Sequence, residues 1–408
     1  MTRLRFGAFL APHHPIGEHP MLQFRSDIDL VEHLDRLGFD EFWCGEHHST
    51  GWEMIASPEM FLAAAAQRSH TIKLGTGVIS LPYHHPFNVA QRIVQLDHMS
   101  GGRAIFGSGP GALASDAHTL CIDPLKQRDR QDEALGVIKR LLDGDERVTY
   151  ECEWFQIKDA KLQLLPLQEK LPMVTASTIS PSGMTLAGKY GTGVISIGST
   201  STEGLAALST QWAFAEQAAQ KYGTTVNRKD WRVMLSWHIA ETREQARREA
   251  GEGLMRWNNE YILETLQRPN TKRFTSADQA VDETAFVPGA ATVIGTPDDL
   301  IAAIRKLIPL TGGFGTVIGF VHDWANREHT RRSWDMVARY VIPELNGMMD
   351  RYRESREFVI NNRSAFEQAG KAVMNKILEH EGATAALAKT KNSRLAMPGH
   401  NAPDLMRK

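Results

Sequence analysis

Cysteine is scarce: Cys44, Cys121 and Cys152 are the only three, and no CxxC pair occurs. Neither a disulfide framework nor a cysteine zinc site is indicated, and each thiol reads as a small buried side chain. Net charge is scarce as well. The 46 Lys and Arg against 48 Asp and Glu leave −2, which gives no basic patch for nucleic acid or for an anionic membrane surface. Long apolar runs are missing too. Stretches such as 60–66 fall far short of the roughly 20 residues of a membrane span. The N-terminus lacks a basic-then-apolar leader, so the expectation is a cytoplasmic protein with no membrane and no nucleic-acid partner.

What the chain does have is alternation. Apolar, β-branched or aromatic runs recur at 4–10, 39–45, 72–80, 103–109, 173–177, 193–198, 233–240 and 316–321. Helical patterns lie between and after them, at 26–37, 58–69, 86–99, 127–142, 182–190, 204–222, 242–265, 297–308 and 326–346. Strands alternating with helices imply parallel strands with crossover helices. About eight repeats predict a closed (β/α)₈ TIM barrel over 1–356 rather than an open doubly wound sheet. Two insertions break the rhythm. The first, 146–166, reads as a hairpin, and the second, 267–291, is too long for an ordinary connection and reads as a mobile lid over a site. An extension, 357–408, follows, with one helix predicted at 364–381 and an end expected to be partly disordered or draped on a partner subunit.

Three features carry chemistry. Gly107, Gly109 and Ala112 match G-x-G-x-x-A of dinucleotide sites. The match is rejected because it follows the fourth strand, Pro110 removes a backbone donor, and the acid about 20 residues on sits in a polar helix start. Glycines at that strand end instead let a flat ligand approach the backbone. Histidine doublets, His13-His14, His47-His48 and His84-His85, fall at strand C-terminal ends, where barrels place active sites. Neighbouring residues on a strand point to opposite sides, so each doublet offers one inward imidazole for proton transfer rather than a paired metal ligand; no metal site is expected. Finally, Ser177, Ser180, Ser182 and Gly183 close a buried strand and open a helix, a place suited to a phosphate.

Taken together these residues resemble the bacterial luciferase-like family of flavin-dependent monooxygenases, from about 4 to 345. The matching stretches are EHHST at 46–50, LGTGVISLPYHHP at 74–86, LDHMSGGRAIFG at 96–107, ASTISPSG at 176–183, IGTP at 294–297 and TG at 311–312. The resemblance implies a barrel that binds reduced FMN at the strand C-termini, against the third and fourth strands, with Gly107 and Gly109 beside the ring. It implies a non-proline cis peptide at Gly77-Val78, an active-site histidine at His47, and phosphate-binding hydroxyls at Ser177 and Ser180. Two departures stand out. Gly109 and Pro110 replace a reactive cysteine and a phosphate-binding arginine, which argues against light emission from a long aldehyde, and Ala176 replaces an acidic residue.

Within the family, WEMIASP at 52–58 with GGFG at 312–315 and VHDW at 321–324 is similar to members that oxygenate terpenoids and cyclic ketones, the limonene and diketocamphane branch. Phe9, Trp52, Met54, Trp237 and Trp324 are candidates for an apolar substrate pocket. The implied activity is two-component monooxygenation through a C4a-peroxyflavin. A separate flavin reductase supplies reduced FMN, O₂ is the co-substrate, a small apolar substrate is oxygenated, and family habit implies a homodimer. The alternatives are hydride transfer with a deazaflavin and a non-catalytic flavin-binding protein.

Overall fold

The computed structural model describes residues 3–11, 13–144 and 147–391. Of the end expected to be partly disordered after the helix 364–381, residues 392–408 lie outside the described residues, as does Glu146 of the expected hairpin, whereas 382–391 is helical. The chain divides into two compact units, one ending at Asn346 and the other beginning at Gly347.

Eight parallel strands close the first unit into a barrel: β1 (Arg5–Leu10), β2 (Glu41–Cys44), β3 (Lys73–Thr76), β4 (Ala104–Gly109), β5 (Met173–Ser177), β6 (Gly193–Ser196), β7 (Trp231–Ile239) and β8 (Thr316–Val321). Closure is made by β8, which pairs with β1 from Arg5↔Thr316 to Leu10↔Val321 and with β7 from Arg232↔Thr316 onward. All eight correspond to the apolar runs of the sequence, because strands buried on both faces read as continuous hydrophobic stretches. Helices enter on the caps the sequence supplies. Ser57 accepts the amide of Met60, Ser201 that of Gly204, and Thr296 with Asp299 forms a reciprocal capping box, which satisfies amides that a helix start leaves orphaned.

The barrel interior is filled by Phe9, Trp43, Ile105, Val174, Ile195, Met234 and Ile318. Trp43 fits because its neighbours are glycines: a Cβ on Gly75 would lie 2.5 Å from its ring, and one on Gly107 would lie 3.0 Å from it. Below this layer, at the N-terminal ends of the strands, Glu41 accepts from Arg232 Nε at 2.7 Å and Nη2 at 2.8 Å, and the Trp43 indole donates to the same carboxylate at 3.0 Å.

Several elements differ from the sequence reading. A further strand, Thr292–Gly295, pairs with the outer half of β7, Ser236 to Ile239; four residues are too few for a periodic signal. The helix predicted at 242–265 is α-helical only over Arg243–Arg256 and continues over Trp257–Thr265 with i→i+5 hydrogen bonding. The segment 267–291 contains the helix Ala277–Ala285, whose Ala280 and Val281 are buried in one cluster with Ala246 and Leu254. The hairpin is present as Val148–Glu151 and Gln156–Ala160. The thiols differ among themselves, since Cys44 is buried, Cys152 half-buried and Cys121 exposed. Among its described residues the second unit holds three helices, Asp350–Asn361, Arg363–Leu378 and Glu381–Lys391, instead of the one predicted. Among the described residues, no helix is long and apolar enough to cross a membrane.

Candidate active site

A cavity of about 840 Å³ opens at the C-terminal ends of the strands, and its two walls differ in kind. One is backbone. Beyond β3 the chain turns through a cis Gly77-Val78 peptide, as the family resemblance implied. Gly77, Val78, Pro110 and Gly111 line that side. A Cβ on Gly77 would lie 2.6 Å from the Phe9 ring, and one on Gly109 would lie 2.4 Å from Val78 Cγ2. These positions pack without side chains, which leaves a flat surface.

The opposite wall is aromatic. Phe320, His322 and Trp324 follow one another along and just beyond β8, with ring centroids 4.4 Å and then 3.7 Å apart. Trp257 and Tyr261, from the i→i+5 segment, close over them. Such segments recur at functional sites because the extra residue re-aims side chains. Trp257 Nε1, Trp324 Nε1 and His322 Nδ1 are buried without a hydrogen-bond partner among the described residues.

Between the walls lies a carboxylate–imidazole network. His47 Nδ1 is hydrogen-bonded to Asp116 at 3.2 Å, and its Nε2 lies 3.3 Å from Glu53 as an ion-pair contact. Burial pulls its pKa down, but the hydrogen bond it donates to Asp116 and the charges of Glu53, Asp116 and Glu46 outweigh this and raise it above the ordinary value. Glu53 also meets His13 Nε2 at 2.9 Å and accepts from the Tyr261 hydroxyl at 2.7 Å. Burial works to raise the Glu53 pKa, and the His13 and His47 charges with the Tyr261 bond overcome it, so the carboxylate stays ionised. Glu46 accepts from the Ser80 amide at 2.9 Å and meets His48 at 2.9 Å and His84 at 2.7 Å. His322 is the opposite case, because burial holds it neutral.

Two of the three doublets divide as expected, one ring toward the cavity and one away, whereas the third, His84-His85, puts neither ring on its wall, and all six lie beyond the barrel strands. His13 and His47 line the cavity. Their neighbours turn away, His14 to Asp27 at 2.9 Å and Asp323 at 2.7 Å, His48 to Glu46. In the third doublet His84 goes to Glu46 and His85 to the Gln156 carbonyl at 3.3 Å. No group of three potential metal ligands forms among the described residues.

The other expected site residues fall into two sets. His47, Gly77, Val78, Phe9 and Trp324 line the cavity. Gly107 and Gly109 lie in β4 behind it, Trp52 packs behind Tyr261 with centroids 5.5 Å apart, and Trp237 packs on Trp334 at 5.0 Å. Met54 is half-buried outside the wall. At the β5 exit Ala176 and Thr178 face the cavity, whereas the Ser177 hydroxyl lies 3.5 Å from Gln211 Oε1. Ser180 and Ser182 bond each other at 2.8 Å near the surface, and a Cβ on Gly183 would lie 2.2 Å from the Ala176 carbonyl oxygen. Thr200 and Ser201, at the start of the next helix, line the same end of the cavity. The sequence reading did not single out Glu53, Asn258, Tyr261 or His322. A carboxylate one residue past a conspicuous tryptophan, and the WNNEY pattern at 257–261, were the available signals.

A family model described as luciferase-like monooxygenase matches residues 4–311. The chain is 46% identical over 374 residues to 4-hydroxyprotoasukamycin monooxygenase of Streptomyces nodosus subsp. asukaensis, covering 91% of this chain and 100% of that protein. It is 45% identical over 386 residues to limonene 1,2-monooxygenase of Rhodococcus erythropolis, covering 93% and 97%. The oxygenating constituent of 3,6-diketocamphane monooxygenase of Pseudomonas putida, solved in complex with FMN, superposes with a TM-score of 0.69 at 24% identity over 84% of this chain and 99% of that one, a likeness of fold.

Proposed function

The chain belongs to the luciferase-like monooxygenase family, and on that premise we propose that it is the oxygenase component of a two-component system that uses reduced FMN, delivered by a separate flavin reductase, to oxygenate a small hydrophobic substrate such as a terpenoid or cyclic ketone. One observation carries this reading: a cavity of about 840 Å³ with a flat glycine-lined wall on one side and an aromatic wall on the other. That volume lies within the range of ligand sites.

When bound, reduced FMN supplies the electrons that activate O₂, with one oxygen atom going to substrate and the other to water. The residues present fit such a group. Gly77, Val78, Pro110 and Gly111 offer a planar ring a surface free of bulky side chains on the glycines. The phosphate is assigned to the end where Ser177 to Gly183 meets Thr200 and Ser201, with Arg128 also on the wall. His47, fixed by Asp116 and Glu53, places a proton-bearing ring at the ligand. Phe9, Phe320 and Trp324 provide an apolar seat for the substrate, and residues 268–274 cover the mouth and limit water, which protects a reactive oxygen donor. A homodimer in the cytoplasm is part of the same proposal.

The test is rapid mixing of the protein, loaded anaerobically with reduced FMN, against oxygenated buffer with limonene or a cyclic ketone. Flavin reoxidation in two resolved phases, with oxygenated product formed in the second, is expected. Single-phase reoxidation with stoichiometric hydrogen peroxide and no product would overturn the reading. Reduction of a deazaflavin by an alcohol under the same conditions would replace it with hydride transfer.

A further inference from the structure

On the aromatic wall the side-chain polar atoms of the described residues are spent or sealed, with one exception. The Tyr261 hydroxyl is committed to Glu53 at 2.7 Å and His322 Nε2 to the Ser236 hydroxyl at 2.9 Å, while His322 Nδ1 and the indole nitrogens of Trp257 and Trp324 are closed off by packing. The exception is Asn258, from the same i→i+5 segment, which lines the cavity and is 9% exposed. Backbone groups fix which way its amide points. The Phe274 amide donates to Asn259 Oδ1 at 2.9 Å, and Asn259 Nδ2 donates to the Phe274 carbonyl at 2.9 Å. Asn259 therefore presents an acceptor to its neighbour, and Asn258 turns Nδ2 toward it at 3.1 Å; the same Nδ2 donates to the Lys272 carbonyl at 2.8 Å. Both hydrogens of that amide are used. What is left over is Asn258 Oδ1, which accepts from none of the described residues and, unlike the nitrogens around it, keeps accessible surface.

We propose that Asn258 is a specificity-determining residue whose Oδ1 accepts a hydrogen bond from an O–H or N–H of the substrate, so that the cavity prefers an alcohol to the ketone or hydrocarbon of the same skeleton. The inference rests on reading this cavity as the oxygenation site, and it narrows the substrate class of that site. An acceptor nine-tenths buried beside aromatic rings loses its water when an apolar molecule fills the space next to it, and a buried polar group left unpaired is costly. A ligand hydroxyl restores the bond. A ketone oxygen sets a second acceptor against the first, and a hydrocarbon leaves it bare. Sites built to bond a substrate hydroxyl reject the analogue that lacks it for this reason. Ser80 and Thr292 also line the cavity, but a hydroxyl turns to donate or accept as the ligand requires and so selects neither. Asn258 has no such freedom, because its two donated bonds hold the carbonyl oxygen in one orientation.

The test is calorimetric titration of the full-length protein, loaded with oxidised FMN, with borneol and with camphor, which share one carbon frame and differ in carrying O–H or C=O. Borneol is expected to bind about tenfold more tightly, the order of one hydrogen bond gained against one acceptor stranded. Asn258→Leu, or Asn258→Ser where the leucine variant does not fold, should bring the two ligands within about twofold of each other. Asn259→Ala frees Phe274 but keeps the Lys272 bond that orients Asn258, so it should weaken both ligands alike and preserve their ratio; loosening of the mouth is thereby told apart from lost recognition. Camphor bound by the parent as tightly as borneol, or a preference for borneol that survives the change at Asn258, overturns the proposal. So does a loss of FMN affinity in the Asn258 variants with the ratio unchanged, which would give the acceptor to an N–H of the flavin ring. Those outcomes leave the oxygenase reading standing. Protein that takes up no FMN sinks that reading instead, and the ratio of the two ligands, read on the unloaded protein, then judges Asn258 by itself. If neither ligand binds in either state, the substrate class fails and the inference with it.

Discussion

At the floor of the barrel Glu41 takes two bonds from Arg232 and a third from Trp43, with Arg5 Nη1 a further 3.9 Å away. At the mouth, buried nitrogens of His13, Trp257, His322 and Trp324 have no hydrogen-bond partner among the described residues. Both regions are buried and both are rich in aromatic and ionisable side chains. Around Glu41 the charged bonds are closed, as in a group whose task is to hold strands together, although the buried hydroxyl of Thr316, in register with Arg5 and Arg232, has no partner among the described residues. The mouth leaves donors and acceptors over, at a cost in stability that a purely structural region would have no reason to bear. Completeness of bonding, more than residue type, separates the Glu41–Arg232 group of the floor from the ring nitrogens of the mouth.

The largest effect is expected at the floor. Arg232→Met strands the Glu41 carboxylate, which burial alone would push up in pKa and which Arg232 now holds down. Loss of one partner of a buried pair costs about 3–5 kcal/mol, so the urea midpoint should fall steeply while the folded fraction still binds flavin. Replacing both, Glu41→Leu with Arg232→Met, should recover much of the loss. A single variant as stable as the parent would show that the floor is not a closed structural unit.

How far the sequence revealed these regions follows from what each rests on. The eight strands were legible because apolar runs are local, and the cis peptide because the motif around Gly77 resembles a known family's. The strand Thr292–Gly295 and the change of helix type at Trp257 were not, since four residues carry no period and the two helix types place apolar residues too similarly over nine residues to be told apart. The mouth's central contact was the least legible: Tyr261 and Glu53 are 208 residues apart, and no spacing rule joins them. Strand parity was available but easily misapplied at β5, where Ala176 and Thr178 face the cavity and the intervening Ser177 faces Gln211.

A middling effect sharpens the contrast, because one mouth residue is bonded as completely as Glu41 at the floor. His14 sits between Asp27 and Asp323. Burial lowers its pKa, but the two hydrogen-bonded carboxylates more than reverse this and raise it from 6.5 to about 10. A folded-state pKa raised above the unfolded value gives stability that is complete below about pH 6.5 and is lost as pH rises to about 10. His47 and His48 are raised too and add the same sign. The urea midpoint should therefore fall between pH 6 and pH 9.5, and His14→Asn should flatten part of that slope without changing flavin affinity. A midpoint that rises over this range would refute the charge assignment.

The smallest change in stability is expected at Ser201, and it bears most directly on which end of the mouth takes a phosphate. Its hydroxyl accepts from the Gly204 amide at 3.1 Å and donates to the Gly198 carbonyl at 3.1 Å, capping the helix Thr202–Tyr222. Ser201→Ala removes the cap and should cost about 1 kcal/mol. Ser201→Asp restores a cap and suits the positive end of the helix, so stability should return to near the parent's. It also places a fixed negative charge where the flavin phosphate is assigned. FMN, titrated by flavin fluorescence, should then bind roughly tenfold more weakly, the order expected of like charges a few Å apart near a protein surface, while riboflavin, which lacks the phosphate, should be unaffected. Equal weakening of both flavins would move the phosphate to another part of the rim and leave Ser201 with the same closed, structural role as the floor.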